Sequence, residues 1–169
     1  MKKRAAIDGG GDRPSLTLTH PVMGTLIIMD LDRMGELVEE AGLSEYKPNR
    51  ITGLLTSLVE SFASKWSAVV VYGLDRRRGT EEAIIEIPLV EPWEVLDDLE
   101  YIRKEVENAG GSITIIAVHT WITGAPARNR REAYTGYRRR ALRLLKKLKR
   151  KGGNTIYIDS GDVSPPSGD

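Results

Sequence analysis

The stretch IIMDLDRMGELV, residues 27–38, ends an apolar run in two carboxylates, Asp30 and Asp32. Side chains two apart on a strand point to the same side, so these acids can converge, and close carboxylates repel unless a cation neutralises them. Oxygen donors at a strand end suit Mg²⁺ or Mn²⁺; Mg²⁺ takes one or two protein carboxylates and completes its shell with water and substrate phosphates. The other reading of the pair is two strand-end acids that cap the backbone or face solvent. The chain has no cysteine, and its two histidines, His20 and His119, are far apart in sequence. Disulfides and thiolate metal sites are therefore excluded, any metal must be held by oxygen, and both histidines read as structural.

A second charged region lies towards the C-terminus. Residues 128–151 hold twelve Lys or Arg and one acid, Glu132, for a local +11, while the rest of the chain carries −10. The formal net charge of +1 thus hides a polarised molecule. Such a block attracts phosphates or nucleic acid, or else it is a solvated helix face that offsets the acidic remainder. Aromatic residues make up only 6% of the chain, which limits stacking on single-stranded bases.

The elements that must position these groups follow from hydrophobic spacing. A chain of 169 residues, 40% hydrophobic and 29% charged, is long enough for one domain with a proper core and too short for two. Residues 1–22 and 160–169 are polar and read as mobile tails around a folded unit at 23–159. No apolar run approaches the ~20 residues that span a bilayer, and the basic N-terminus lacks the apolar stretch of a signal peptide, so a soluble cytoplasmic protein is expected. The absence of glutamine and the abundance of arginine fit a thermophilic source.

GTLIIMDL is fit for a central strand, and Met34, Leu37, Val38 and Ala41 mark a short helix after it. AGLSEYKPN breaks the chain before an amphipathic helix over 50–66, with Ile51, Leu55, Leu58, Val59, Phe62 and Trp66 on its apolar face. SAVVVYG and EAIIEIPLV form a hairpin with a long charged loop, LDRRRGTE. Pro92 opens a helix that Gly110 and Gly111 stop, SITIIAVHT is a buried strand, the basic segment is a helix ended by GGN, and TIYID is a last strand. The order β-α-α-β-β-α-β-α-β predicts an α+β sandwich: a mixed, mainly antiparallel sheet with helices on one face.

Three segments carry a resemblance. DLDRMGELV resembles the DGDRMG segment of the palm domain in the large polymerase-like subunit of type III CRISPR complexes, and the DxDxF strand of GGDEF diguanylate cyclases. KKLKRKGGNTIYI resembles the AKxxGRNxV ending of GGDEF domains, and VYGLDRRRGTEEAIIEIP holds the position of their signature hairpin. The resemblance covers about residues 23–159. It implies a ferredoxin-like palm sandwich with a Mg²⁺- or Mn²⁺-dependent site for a nucleoside triphosphate, ATP or GTP. It implies metal binding by Asp30, the Leu31 carbonyl, Asp32 and Asp75, and catalytic roles for Asp30 and a hairpin acid, Asp75 or Glu82. Arg33, Met34 and Gly35 fall where family backbone amides cradle phosphates, a natural use of helix N-terminal donors. Lys149 falls on the family's phosphate-binding lysine. Arg76, Arg77 and Arg78, inside a loop longer than the family's tight turn, either bind phosphates or form an ordinary exposed loop. Arg138, Arg139 and Lys146 are expected to face outward and set a general positive field.

The chain also departs from that pattern. Either Tyr72, Gly73, Leu74 and Asp75 stand for YGGD, or Gly79, Thr80, Glu81, Glu82 and Ala83 stand for GGDEF. Each register keeps one glycine and loses the other, whose missing side chain lets the backbone approach a phosphate or guanine. Val38 replaces a guanine-reading asparagine, and Gly153 replaces an arginine. The expectation is a divergent palm that binds a nucleoside triphosphate with weak or lost nucleotidyl cyclase or oligonucleotide synthase activity. The alternatives are an active nucleotidyltransferase, an enzyme like the archaeal GTP cyclohydrolase of the third type, and a single-stranded nucleic-acid-binding module. Joining two triphosphates takes two palms, so activity of that kind would require a homodimer or a partner palm.

Overall fold

The computed structural model describes residues 20–42 and 48–160; most of both expected tails, and residues 43–47 of the chain break, lie outside the described residues. Val22 already belongs to the first strand, β1 (Val22–Leu31). Two helices follow, α1 (Met34–Ala41) and α2 (Arg50–Trp66), and then a hairpin of β2 (Val69–Tyr72) and β3 (Glu82–Pro88). A short 3₁₀ helix, Pro92–Val95, leads into α3 (Leu96–Asn108), which is followed by β4 (Ile113–Ile122), α4 (Arg130–Ala133), α5 (Tyr137–Arg150) and β5 (Thr155–Asp159).

The fold is α+β, with a five-stranded mixed sheet in the order β2-β3-β1-β4-β5. β1 pairs antiparallel with both β3 and β4, β2 with β3 likewise, and only β5 runs parallel to its neighbour β4. The first four strands therefore have the β2-β3-β1-β4 order of a split βαβ sandwich, extended at one edge by β5. β1 is central because its apolar run has no polar face: Leu26, Ile27, Ile28 and Met29 are all fully buried. α2 starts where the spacing predicts because Asn49 accepts from the Ile51 and Thr52 amides while Thr52 Oγ1 accepts from the Asn49 amide, a reciprocal cap.

One expectation fails. Ile27, Met29, Ile85, Ile113 and Ile115 face α2 and α3, whereas Leu26, Ile28, Ile84 and Ile116 face a second core containing Ala133, Tyr134, Ala141 and Leu145 of the α4–α5 segment. Helices thus cover both faces. β1, β3 and β4 carry apolar residues on both sides, so a single helical layer would have left one side of the sheet wet. The basic segment is also two helices: Tyr134, Thr135 and Gly136 separate α4 from α5, with Gly136 at φ +60°.

Candidate functional site

Asp32 follows the end of β1 and is buried. Its Oδ2 accepts hydrogen bonds from Ser112 Oγ (2.7 Å) and the Asn154 amide (2.8 Å), and its Oδ1 accepts one from Thr114 Oγ1 (2.7 Å). Its own amide donates to the Ser112 carbonyl at 2.7 Å. The GGN turn therefore does more than stop a helix, since it wraps this carboxylate. Gly153 has φ +67°, and a β-carbon there would stand 2.5 Å from Asp32 Oδ2, so only glycine lets the turn approach. Asp32 ties β1, the start of β4 and the turn before β5 together.

Lys149, in the last turn of α5, points its ammonium at the same strand end. Nζ donates to the Leu31 carbonyl at 2.9 Å, pairs with Asp30 Oδ2 at 2.9 Å and stands 3.6 Å from Asp32 Oδ1. Burial pushes the Asp30 carboxyl above the usual carboxylate range, an effect that the hydrogen bond and charge of Lys149 oppose and that Glu82 and Asp32 reinforce.

Asp30 stands opposite Glu82 in the β1–β3 register. Directly paired residues share a face, which brings the hairpin acid of the GTEEA register beside Asp30. Glu82 is held by Arg130 Nε (2.8 Å) and by the Tyr134 hydroxyl (3.0 Å). Burial, and then Glu82, push the Tyr134 phenol far above its ordinary value. Gly73, at φ +106°, closes the hairpin against β3, where a β-carbon would collide with the Glu82 carbonyl. These groups open onto a cleft of about 400 Å³ lined by Asp30, Tyr72, Asp75, Arg78, Glu82 and Arg130.

The remaining expected residues divide. Asp75 lines the cleft, but its Oδ1 accepts from the Arg77 and Arg78 amides and so builds the loop itself. Arg76 leaves the cleft to pair with Glu60 on α2 at 2.6 Å. Arg33 lies at φ +51° as the N-cap of α1, with no side-chain cap, and lines a separate hollow with Glu36, Glu40 and Gly110. Met34 is buried in the α2–α3 core, and Gly35 has open space around it. The structure thus places Arg33 on a different hollow from the Asp30–Glu82 cleft.

Arg138 corrects the sequence reading: it is buried, not outward, and its Nη2 lies 2.5 Å from Glu86 Oε1. Arg130 and Tyr134 are site residues that spacing alone did not single out, whereas Arg78 is one of the hairpin-loop arginines named from the sequence. One signal was present for the first kind of contact. EAIIEIP places Glu82 and Glu86 on one face of an apolar strand, and inward acids demand cations from whatever packs over them.

The four oxygen donors expected to hold a divalent cation do not fit one. Both oxygens of Asp32 are engaged, Asp75 is committed to its turn, and the Leu31 carbonyl and Asp30 meet on the Lys149 ammonium. Among the described residues no group of three or more His, Cys, Asp or Glu side chains could hold a metal ion. Nor is any helix among them long and apolar enough to cross a membrane.

No family model and no curated protein matches the chain. Among solved structures it is similar to a microbial GGDEF domain described for its interaction with bis-(3,5)-cyclic di-GMP, at 21% identity and a TM-score of 0.49, over 82% of this chain and 78% of that one.

Proposed function

We propose that this domain binds a nucleoside triphosphate, ATP or GTP, in the cleft between the hairpin and the end of β1, and that its nucleotidyl-transfer chemistry is weak or lost. The observation that carries this reading is the convergence of Arg78 and Arg130 on a cleft whose floor, Asp30, is itself neutralised by Lys149. Guanidinium groups in a partly enclosed cleft suit phosphate oxygens, which they can grip in bidentate fashion. The palm resemblance of the sequence motifs points to the same ligand class.

Slow chemistry follows from the carboxylates. Nucleotidyl transfer needs cationic stabilisation at the attacked phosphate and an activated hydroxyl, which palm-type sites derive from metal held by free acids. Here Asp30 is paired with Lys149 and Glu82 with Arg130, so neither acid stands ready for that task. The test is calorimetric titration of the purified protein with ATP and GTP, followed by chromatography of long incubations. Saturable binding with no or slow product supports the proposal. Rapid formation of a cyclic or linear oligonucleotide would overturn the loss of activity, and rapid formation of a formylamino-pyrimidine from GTP would favour the cyclohydrolase class.

A further inference from the structure

The end of β1 offers three oxygen groups to one point in space, the Asp30 carboxylate, the Leu31 carbonyl and the Asp32 carboxylate, and Lys149 Nζ stands at that point. Two of the contacts are 2.9 Å and the third 3.6 Å, which are ammonium distances; Mg²⁺ would draw its oxygens to about 2.0–2.1 Å. The lysine is held there by α5, packed on the sheet through Leu145 and Ala141, and by its place in the last turn, where the helix dipole favours a cation. The surrounding framework is rigid: Ser112, Thr114 and the Asn154 amide fix the Asp32 carboxylate.

We propose that Lys149 is a built-in replacement for a divalent cation: its ammonium supplies the positive charge that the paired acids require, and the site works without metal. Neutralisation by a tethered group needs no ion from solution and leaves the lysine side chain a quarter exposed. For ligand binding, an inference that rests on the nucleotide reading above, phosphate is met by lysine and arginine charges alone. Affinity for ATP or GTP is then the same with Mg²⁺ and with a chelator.

The experiment separates the two claims. In the absence of nucleotide, millimolar Mg²⁺ or Mn²⁺ leaves the melting temperature of the wild-type protein unchanged. The variant Lys149→Met melts lower and regains stability with either ion, by about 4 °C at ten times the ion's dissociation constant, because removal of the ammonium exposes a vacant cation position. A wild-type protein stabilised by the ions as much as the variant, or a variant that ignores them, overturns the proposal. If Lys149→Met does not fold, Mn²⁺ titration of the wild type followed by electron paramagnetic resonance decides: stoichiometric binding overturns the proposal, and free Mn²⁺ throughout supports it. In the nucleotide arm, ATP and GTP bind the wild type equally in chelator and in Mg²⁺. Binding that requires the metal defeats the built-in cation and leaves the nucleotide site standing; no binding under either condition defeats the nucleotide site, and the ion titrations still judge Lys149.

Discussion

β3 carries two glutamates four residues apart on the same face, and the α4–α5 segment answers each with one arginine and one tyrosine. Glu82 meets Arg130 and Tyr134; Glu86 meets Arg138 and Tyr137. The chemistry is the same and the surroundings are opposite. Glu86 is fully buried and the Arg138 side chain is 7% exposed, whereas Glu82 is 18% and Arg130 51% exposed beside an open cleft. A pair sealed in the core cannot exchange its partner for a ligand, so the Glu86 cluster serves to fix α5 over the sheet. A pair at the rim can release its arginine at little cost, because solvent shares in its solvation. The difference teaches that depth, more than residue type, separates the clamp from the site.

The largest expected effect is at the clamp. Arg138→Ala leaves a charged Glu86 without its partner in the core and should lower unfolding stability by about 3–5 kcal/mol in a urea titration. The double change Glu86→Leu with Arg138→Leu should recover most of that loss. A single variant as stable as wild type would show that the two clusters do not differ in kind.

Asp32 is the buried member at the open end. Asp32→Ala strands the Ser112 and Thr114 hydroxyls and the Asn154 amide, and should cost about 2 kcal/mol by the same titration, with Asp32→Asn intermediate. Amide protection at Asn154, followed by hydrogen exchange, should fall in both variants.

At the rim the order of effects reverses. Arg130→Ala should cost less than about 1 kcal/mol of stability, while the dissociation constant for ATP or GTP rises about tenfold, the worth of one hydrogen bond to a charged group. Calorimetry on the variant measures both. A large stability loss with unchanged affinity would make Arg130 a second Arg138.

The smallest effect appears only in alkali. The Tyr134 and Tyr137 phenols both titrate above the ordinary value of 10.0, chiefly through burial and then through their glutamates. A raised folded value means that the native state favours the protonated phenol. This stability is complete below pH 10 and is lost as pH rises through the folded values. Tyr134→Phe and Tyr137→Phe should each flatten the decline of melting temperature above pH 10, and neither should change its slope near neutrality.

The exposed basic residues of α5, Arg139, Arg140, Arg143, Lys146, Lys147 and Arg150, keep the positive field that composition implied, although Arg138 and Lys149 are withdrawn from it. The nucleic-acid alternative has a simple discriminator. Binding that vanishes in moderate salt and is unaffected by Arg130→Ala belongs to that field and not to the cleft.

Much of the fold was legible in the chain because it depends on local periodicity. Residues 50–66 form a helix, SAVVVYG and EAIIEIPLV form a hairpin, and the acids Asp30 and Asp32 do share a face, since spacing along one element sets those outcomes. A cation at the end of β1 was one of the two readings that the sequence left open for those acids. Which cation it is depended on α5 crossing the second face of the sheet, a packing that brings Lys149 onto the carbonyl of Leu31, 118 residues away in sequence. The same crossing sank Arg138, while α4 holds Arg130 at the rim and the hairpin register chose Glu82 over Asp75 to stand opposite Asp30. Periodicity is a property of neighbours in the chain; charge neutralisation is a property of neighbours in space, and so only the tertiary structure decided how these acids are satisfied.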